Sequence, residues 1–267
     1  MFGLTAACAL ATVCVLFWIL GFLLWNGGKS LNLAFFTQLP KPPGETGGGM
    51  ANAIVGSAQI VFIASLIGIP IGFLGGVYLA EFGTGAFPFV VRYTADLLNG
   101  VPSIVMGLFA YSIVVRPMHQ FSALAGGVAL SVILIPTTIR TTEQFLRAVP
   151  QTLREGALAL GANKWKAIAT VVVPAAVRGV ATGMILGVAR IAGESAPLLF
   201  TSFGNQYWSR SLGQPTASLP VMIFTYAISP YADWHREAWA AGLVLLAVML
   251  LLNVSARLVL SPGAPRN

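Results

Sequence analysis

Arg190 and Glu194 stand four residues apart inside a long apolar run, in the order Arg190-Ile191-Ala192-Gly193-Glu194-Ser195-Ala196-Pro197. A guanidinium is permanently charged and presents a planar fork of donors that suits an oxyanion bidentately. A carboxylate at i+4 falls on the same helix face, where it can orient the guanidinium, neutralise it, or pair with another subunit to close a gate. Ser195 adds a neutral donor beside them. This set supports the handling of an anion with no covalent step. The alternative is a structural ion pair that locks two helices together. Near the middle of a membrane span, each charge costs at least about 2.5–3.5 kcal/mol, so either role has to offset that penalty.

Composition decides what surrounds that run. Of 267 residues, 57% are hydrophobic and only 9% charged, with a mean hydropathy of +0.82. Soluble chains carry about 25% charged residues, so the solvent for this one is lipid. The formal net charge of +7 is not gathered into a basic patch with interleaved aromatics, which argues against nucleic acid. No Walker A stretch, nucleophile triad or metal-ligand cluster is present, so the chain is not expected to be an enzyme, and no cofactor is expected. Cys8 and Cys14 fall in the first apolar run on well-separated sides of a helix and read as small hydrophobes. His119 and His235 lie far apart with no ligand spacing.

The elements that must hold these residues are helices. The expected fold class is an all-α integral membrane protein with about six transmembrane helices, over residues 4–25, 54–79, 95–115, 124–145, 177–203 and 238–260. The first run is too long, and lacks the basic start, for a cleaved signal peptide. The third is interrupted by Asn99-Gly100-Val101-Pro102-Ser103, which predicts a bent or broken start. Asp96 and Asn99 are expected to cap that break. Residues 26–49, with Pro40, Pro42 and Pro43, read as an external loop, and 219–228 as a short interfacial helix. Arg140 sits with Thr137, Thr138, Thr141 and Thr142 near the inner end of the fourth run and is expected to snorkel to the interface. Thr201 and Ser202 either add donors along the fifth run or bond a carbonyl one turn back.

With both termini cytoplasmic, the inner side holds Arg92, Arg147, Arg154, Lys164, Lys166, Arg178, Arg257 and Arg266. The outer side holds Lys29, Lys41, Arg116, Arg210 and Arg236. Eight against five sets the orientation, most strongly through residues 147–174. That stretch reads as an amphipathic surface segment bracketed by Pro150 and Pro174 rather than a span.

Within it, Glu155-Gly156-Ala157, three residues, Gly161, nine residues, Val171, one residue and Val173-Pro174 resemble the EAA loop of ABC importer permeases. The family pattern is E-A-A, three residues, G, nine residues, I, one residue, L-P. Gly156, Val171 and Val173 are small or aliphatic departures, and the spacing is intact. Small side chains at Gly156 and Ala157 allow a short helix to press into a groove on another protein, Gly161 permits a turn, and Trp165 anchors the next segment at the interface.

From about residue 51 onward the chain is similar to the MetI-like transmembrane domain, and more narrowly to PstA-type permeases of bacterial phosphate importers. The residues that carry this run from Asp96 to Gly107 and from Arg190 to Leu199. The resemblance implies a division into residues 1–50, an N-terminal transmembrane helix and external loop, and 51–267, a permease core. It implies a multi-pass location in the bacterial inner membrane and a phosphate pathway lined by Arg190, Glu194 and Ser195. Glu155, Gly156, Ala157 and Gly161 would receive the motion of an ATPase. The implied partners are an ATP-binding cassette ATPase homodimer (PstB-like), a sister permease (PstC-like) and an external phosphate-binding protein (PstS-like). Two alternatives stay open: a permease for another oxyanion such as molybdate or sulfate, and a stand-alone ion-coupled transporter or channel, which would leave the 155–174 loop idle.

Overall fold

The computed structural model describes residues 2–45 and 47–260; Arg266, one of the expected inner cations, lies outside them. Among the described residues the regular structure is helical, with one isolated bridge between Phe203 and Thr216. The helices are α1 (Phe2–Gly28), α2 (Leu33–Thr37), α3 (Ala51–Glu81), α4 (Ala86–Gly100), α5 (Ser103–Met118), α6 (Ala123–Arg147), α7 (Gln151–Ala159), α8 (Lys164–Ala192), α9 (Ala196–Leu199), α10 (Leu219–Ala227) and α11 (Ala232–Leu260). Five of them, α1, α3, α6, α8 and α11, are long and apolar enough to cross a bilayer, and α4 with α5 forms a sixth, broken candidate.

The centre is the pair α3–α6. Gly68, Gly72 and Gly76 recur every four residues on one face of α3, and a Cβ at each would press into Leu134, Thr138 and Thr142 of α6. Small residues let two backbones approach inside lipid, where dispersion replaces the hydrophobic effect as the force between helices. Thr138 and Thr142 are buried in that seam, and Thr141 presses on Gly183 of α8. The expected polar cluster is therefore dispersed around α6, with Thr137 and Arg140 facing α4.

The third span differs from a single helix over 95–115. Helix α4 begins at Ala86, ends at Gly100, and meets α5 at an angle of 107° across Val101 and Pro102. The break falls where the sequence placed it, but no side chain caps α5. Asp96 instead pairs with Arg140, and Asn99 accepts from Thr137.

The fifth span also shifts. The sequence expects 177–203; the helix runs from Lys164 to Ala192, straight through Pro174. A π turn at Ile168–Val172 directly precedes that proline. The wider i→i+5 bonding absorbs the missing proline N–H that would otherwise break the ladder. Gly193 then caps the helix.

At the end opposite α7, the segment after α9 folds back onto α3. Asn52 Nδ2 donates to Asn205 O at 2.6 Å, and Leu219 N donates to Ser57 Oγ at 2.7 Å. Helix α10 is not a surface helix: Leu219, Val221, Met222 and Tyr226 are buried, and the Tyr226 ring stacks on Trp234 at 4.4 Å.

Candidate functional site

Arg190 lies in the last turn of α8, and Glu194 one residue beyond its Gly193 cap. The two are therefore not neighbours on one continuous helix face, as i, i+4 spacing predicts. The reason is Gly193, which turns the chain toward α9. No ion pair joins Arg190 to Glu194 among the described residues. Both side chains line the same two cavities. One, of about 470 Å³, lies against Met249 and Asn253 of α11. The other, of about 220 Å³, lies under the break between α4 and α5, with Asn99, Val101, Pro102 and Ser103 in its wall. Ser195 precedes α9, where its carbonyl accepts from Leu198 N and Leu199 N at 3.1 Å, and it lines neither cavity.

Arg190 is exposed to this space and Glu194 half-exposed. A guanidinium open to a cavity, with no carboxylate paired to it among the described residues, has donors to offer an anion there. Thr201 and Ser202 do not join them. Both are fully buried, and their hydroxyls donate to Pro197 O and Leu198 O one turn back, at 2.8 and 3.3 Å.

The second site is at the α7 end. Glu155 and Gly156 are exposed, Ala157 is half-buried, and a Cβ at Gly156 would meet open space. Gly161 has φ +83, the left-handed region that favours glycine, and it ends the turn leading into α8. Leu153, Leu158 and Leu160 are exposed on or just after the same helix, Leu160 at 91%. Trp165 packs on Phe82 at 5.0 Å between ring centres.

Helix α7 is tied to the membrane helices through Arg154. Its guanidinium takes Glu81 Oε1 at 2.8 Å and also donates to Leu146 O and Val149 O. The pair is largely buried, at 15% and 7% side-chain exposure. Lys164 Nζ donates to Glu81 O at 2.7 Å.

The residue that sequence reading missed is Glu143. It is 2% exposed and accepts from three arginines: Arg92 Nε at 2.5 Å, Arg140 at 2.7 Å and Arg147 at 3.0 Å. Arg92 and Arg147 also reach Leu79 O, at 2.8 and 3.4 Å, so the cluster joins the end of α3 to α4 and α6. Arg140 consequently does not snorkel; it is held between Glu143 and Asp96. The signal was present in the spacing Arg140, Glu143, Arg147, which puts two cations on the same helical face as the acid.

Comparison with known proteins bears on the family and the fold. Residues 68–261 match the family model of the binding-protein-dependent transport system inner membrane component. The phosphate transport system permease protein PstA of Yersinia pestis is 48% identical over 245 residues, covering 91% of this chain and 83% of that protein. The protein of the same name from Haemophilus influenzae is 44% identical over 259 residues, covering 97% and 92%. Among solved structures, the inward-facing MetNI methionine ABC transporter shares the fold with a TM-score of 0.66 at 18% identity, covering 78% of this chain and 93% of that one. The chain belongs to the family of binding-protein-dependent transport system inner membrane components.

Proposed function

We propose that this chain is the transmembrane permease subunit of an ATP-driven phosphate importer, forming half of the translocation pathway. The observation that carries the reading is similarity over nearly the whole chain to permeases named for phosphate transport. The open Arg190 guanidinium in a cavity beside the broken α4–α5 span supports it, because a fixed cation in a protein-lined space is what an anion needs to cross lipid. Arg190 meets the phosphate, and Glu194, on the same cavity wall, keeps the site from holding the anion too tightly. Ser195 sits next to them in the chain and supports the turn.

Helix α7 receives the motion of a partner ATPase. Glu155, Gly156 and Ala157 present the docking face, Gly161 sets the turn, and Arg154–Glu81 passes displacement into α3. The remaining partners are an ATPase homodimer, a homologous sister permease and an external phosphate-binding protein. The α7 end and both termini face the cytoplasm, the side on which the cations Arg92, Arg147, Arg154 and Lys164 gather. Residues 1–50 form an appended helix and loop on a core beginning at residue 51.

The test is reconstitution of the chain with a candidate sister permease, ATPase and binding protein in liposomes. Labelled phosphate uptake is followed with and without ATP, with molybdate and sulfate as competitors. ATP-dependent uptake that resists both competitors is expected. Transport by this chain alone would overturn the reading, and ATP-dependent uptake of a competitor would remove phosphate from it.

A further inference from the structure

Helix α4 is joined to α6 at three levels, and the three joints differ in kind. At the first, Arg92 donates to Glu143, a carboxylate 2% exposed, and to Leu79 O. Arg92 is itself only 22% exposed, and its withdrawal would take a largely buried guanidinium from both Glu143 and Leu79 O, so this joint is the fixed one. One turn along, Arg140 Nε meets Asp96 Oδ1 at 2.8 Å, but Asp96 is 54% exposed. Near the end of α4, Thr137 Oγ1 donates to Asn99 Oδ1 at 2.9 Å in an exposed contact. Neither of these two contacts is sealed inside the chain as the first is.

Both α6 partners also keep a second acceptor on their own helix. Arg140 retains Glu143 Oε2 at 2.7 Å if Asp96 departs. Thr137 retains Ile133 O at 3.4 Å if Asn99 departs. Release of the far end of α4 therefore frees only the Arg140 Nε donor, while Arg140 keeps its Glu143 pair through Nη1 and Thr137 keeps a carbonyl, which lowers the penalty for opening. That far end leads directly into the 107° break at Val101–Pro102, and Asn99, Val101, Pro102 and Ser103 form the wall facing Arg190 and Glu194.

We propose that Asp96–Arg140 and Asn99–Thr137 form a latch that opens and closes in each transport cycle, with α4 pivoting about Arg92–Glu143. Arg140 is the positioning residue that sets the α4–α5 break over the Arg190 cavity. This inference rests on the permease reading of the chain.

The test places Asn99→Cys and Thr137→Cys in the complete reconstituted importer, on a background with Cys8→Ser and Cys14→Ser. The two thiols are joined by oxidation or by a short bis-methanethiosulfonate reagent, and the joined peptides are identified by mass spectrometry. A contact that moves must lose uptake when tied, whereas a static one is indifferent. Joining is expected to lower ATP-dependent phosphate uptake at least tenfold, with recovery on reduction; undiminished uptake by the joined form would overturn the latch. Asp96→Asn provides an independent measure without cross-linking. Its complex is expected to assemble normally while the ATP hydrolysed per phosphate carried rises several-fold, and an unchanged ratio would overturn the proposal. The unmodified importer is assayed beside both. If it carries sulfate or molybdate in place of phosphate, the substrate reading fails while the latch is scored on the anion carried.

Discussion

Gly76 of α3 lies so close to Thr142 of α6 that a methyl group at position 76 would sit 2.5 Å from the threonine Cβ. The same separation recurs one turn earlier between Gly72 and Thr138. Among the described residues neither threonine hydroxyl has a hydrogen-bond partner, so the seam holds by packing rather than by polar bonds. Gly72→Ala or Gly76→Ala is expected to destabilise the protein by about 1–3 kcal/mol through overpacking. Gly100→Ala, where the added Cβ meets open space, serves as the control. Thermal unfolding of the purified protein in detergent checks both.

Arg190→Gln is expected to abolish phosphate uptake while the complex assembles in normal yield, since within this chain Arg190 makes no ion pair among the described residues whose loss would disturb the fold. Uptake measured together with co-purification of the partner subunits checks this. Loss of assembly would make the residue structural.

Glu143→Gln leaves Arg92, Arg140 and Arg147 facing one another without their shared carboxylate. Breaking a buried pair by removing one partner costs about 3–5 kcal/mol, so the variant is expected to fall well below the wild type in expression and melting temperature. Asp96→Asn, at the exposed end of the same cluster, is expected to lower melting temperature far less. The contrast separates the fixed joint from the releasable one.

Arg154→Leu removes the bond to Glu81 and two bonds to the last carbonyls of the α6 end. The expected result is that α7 still docks the ATPase while uptake falls at least tenfold and hydrolysis persists. Parallel assays of hydrolysis and uptake check it.

Gly156 lies on an exposed face with free space around it. Gly156→Ala is expected to strengthen α7 by about 0.5–1 kcal/mol, as for any helix-interior glycine, and to leave ATPase association intact. Gly156→Trp adds bulk on the exposed side of α7, where docking is proposed, so association with the ATPase is expected to be lost. Co-purification with the ATPase reads both variants.

The sequence made the spans legible because lipid imposes length and apolarity on any helix that crosses it, and α1, α3, α6 and α11 fall where the apolar runs lie. The break at Val101–Pro102 was legible from local backbone chemistry. The extent of α8 was not: Pro174 reads as a boundary unless the π turn before it is known, and that turn depends on packing. The pairing of Arg190 with Glu194 was misread for a related reason, since four-residue spacing means adjacency only where the helix continues. Arg140 and Arg147 stand at helical spacing from Glu143, but its third partner, Arg92, is 51 residues away in sequence. Long-range pairing of this kind leaves no periodic trace.

Helix α1 packs along α11, with Phe22 edge-on to Trp239 at 5.2 Å and Gly27 against the Trp239 carbonyl. These are the first and last of the described helices in chain order. During synthesis α1 cannot take up this packing until α11, made after all the other described helices, has arrived. For that interval its exposed Trp18, Phe22 and Trp25 have only lipid or the insertion machinery for company. A lesion in α11 is therefore felt at α1.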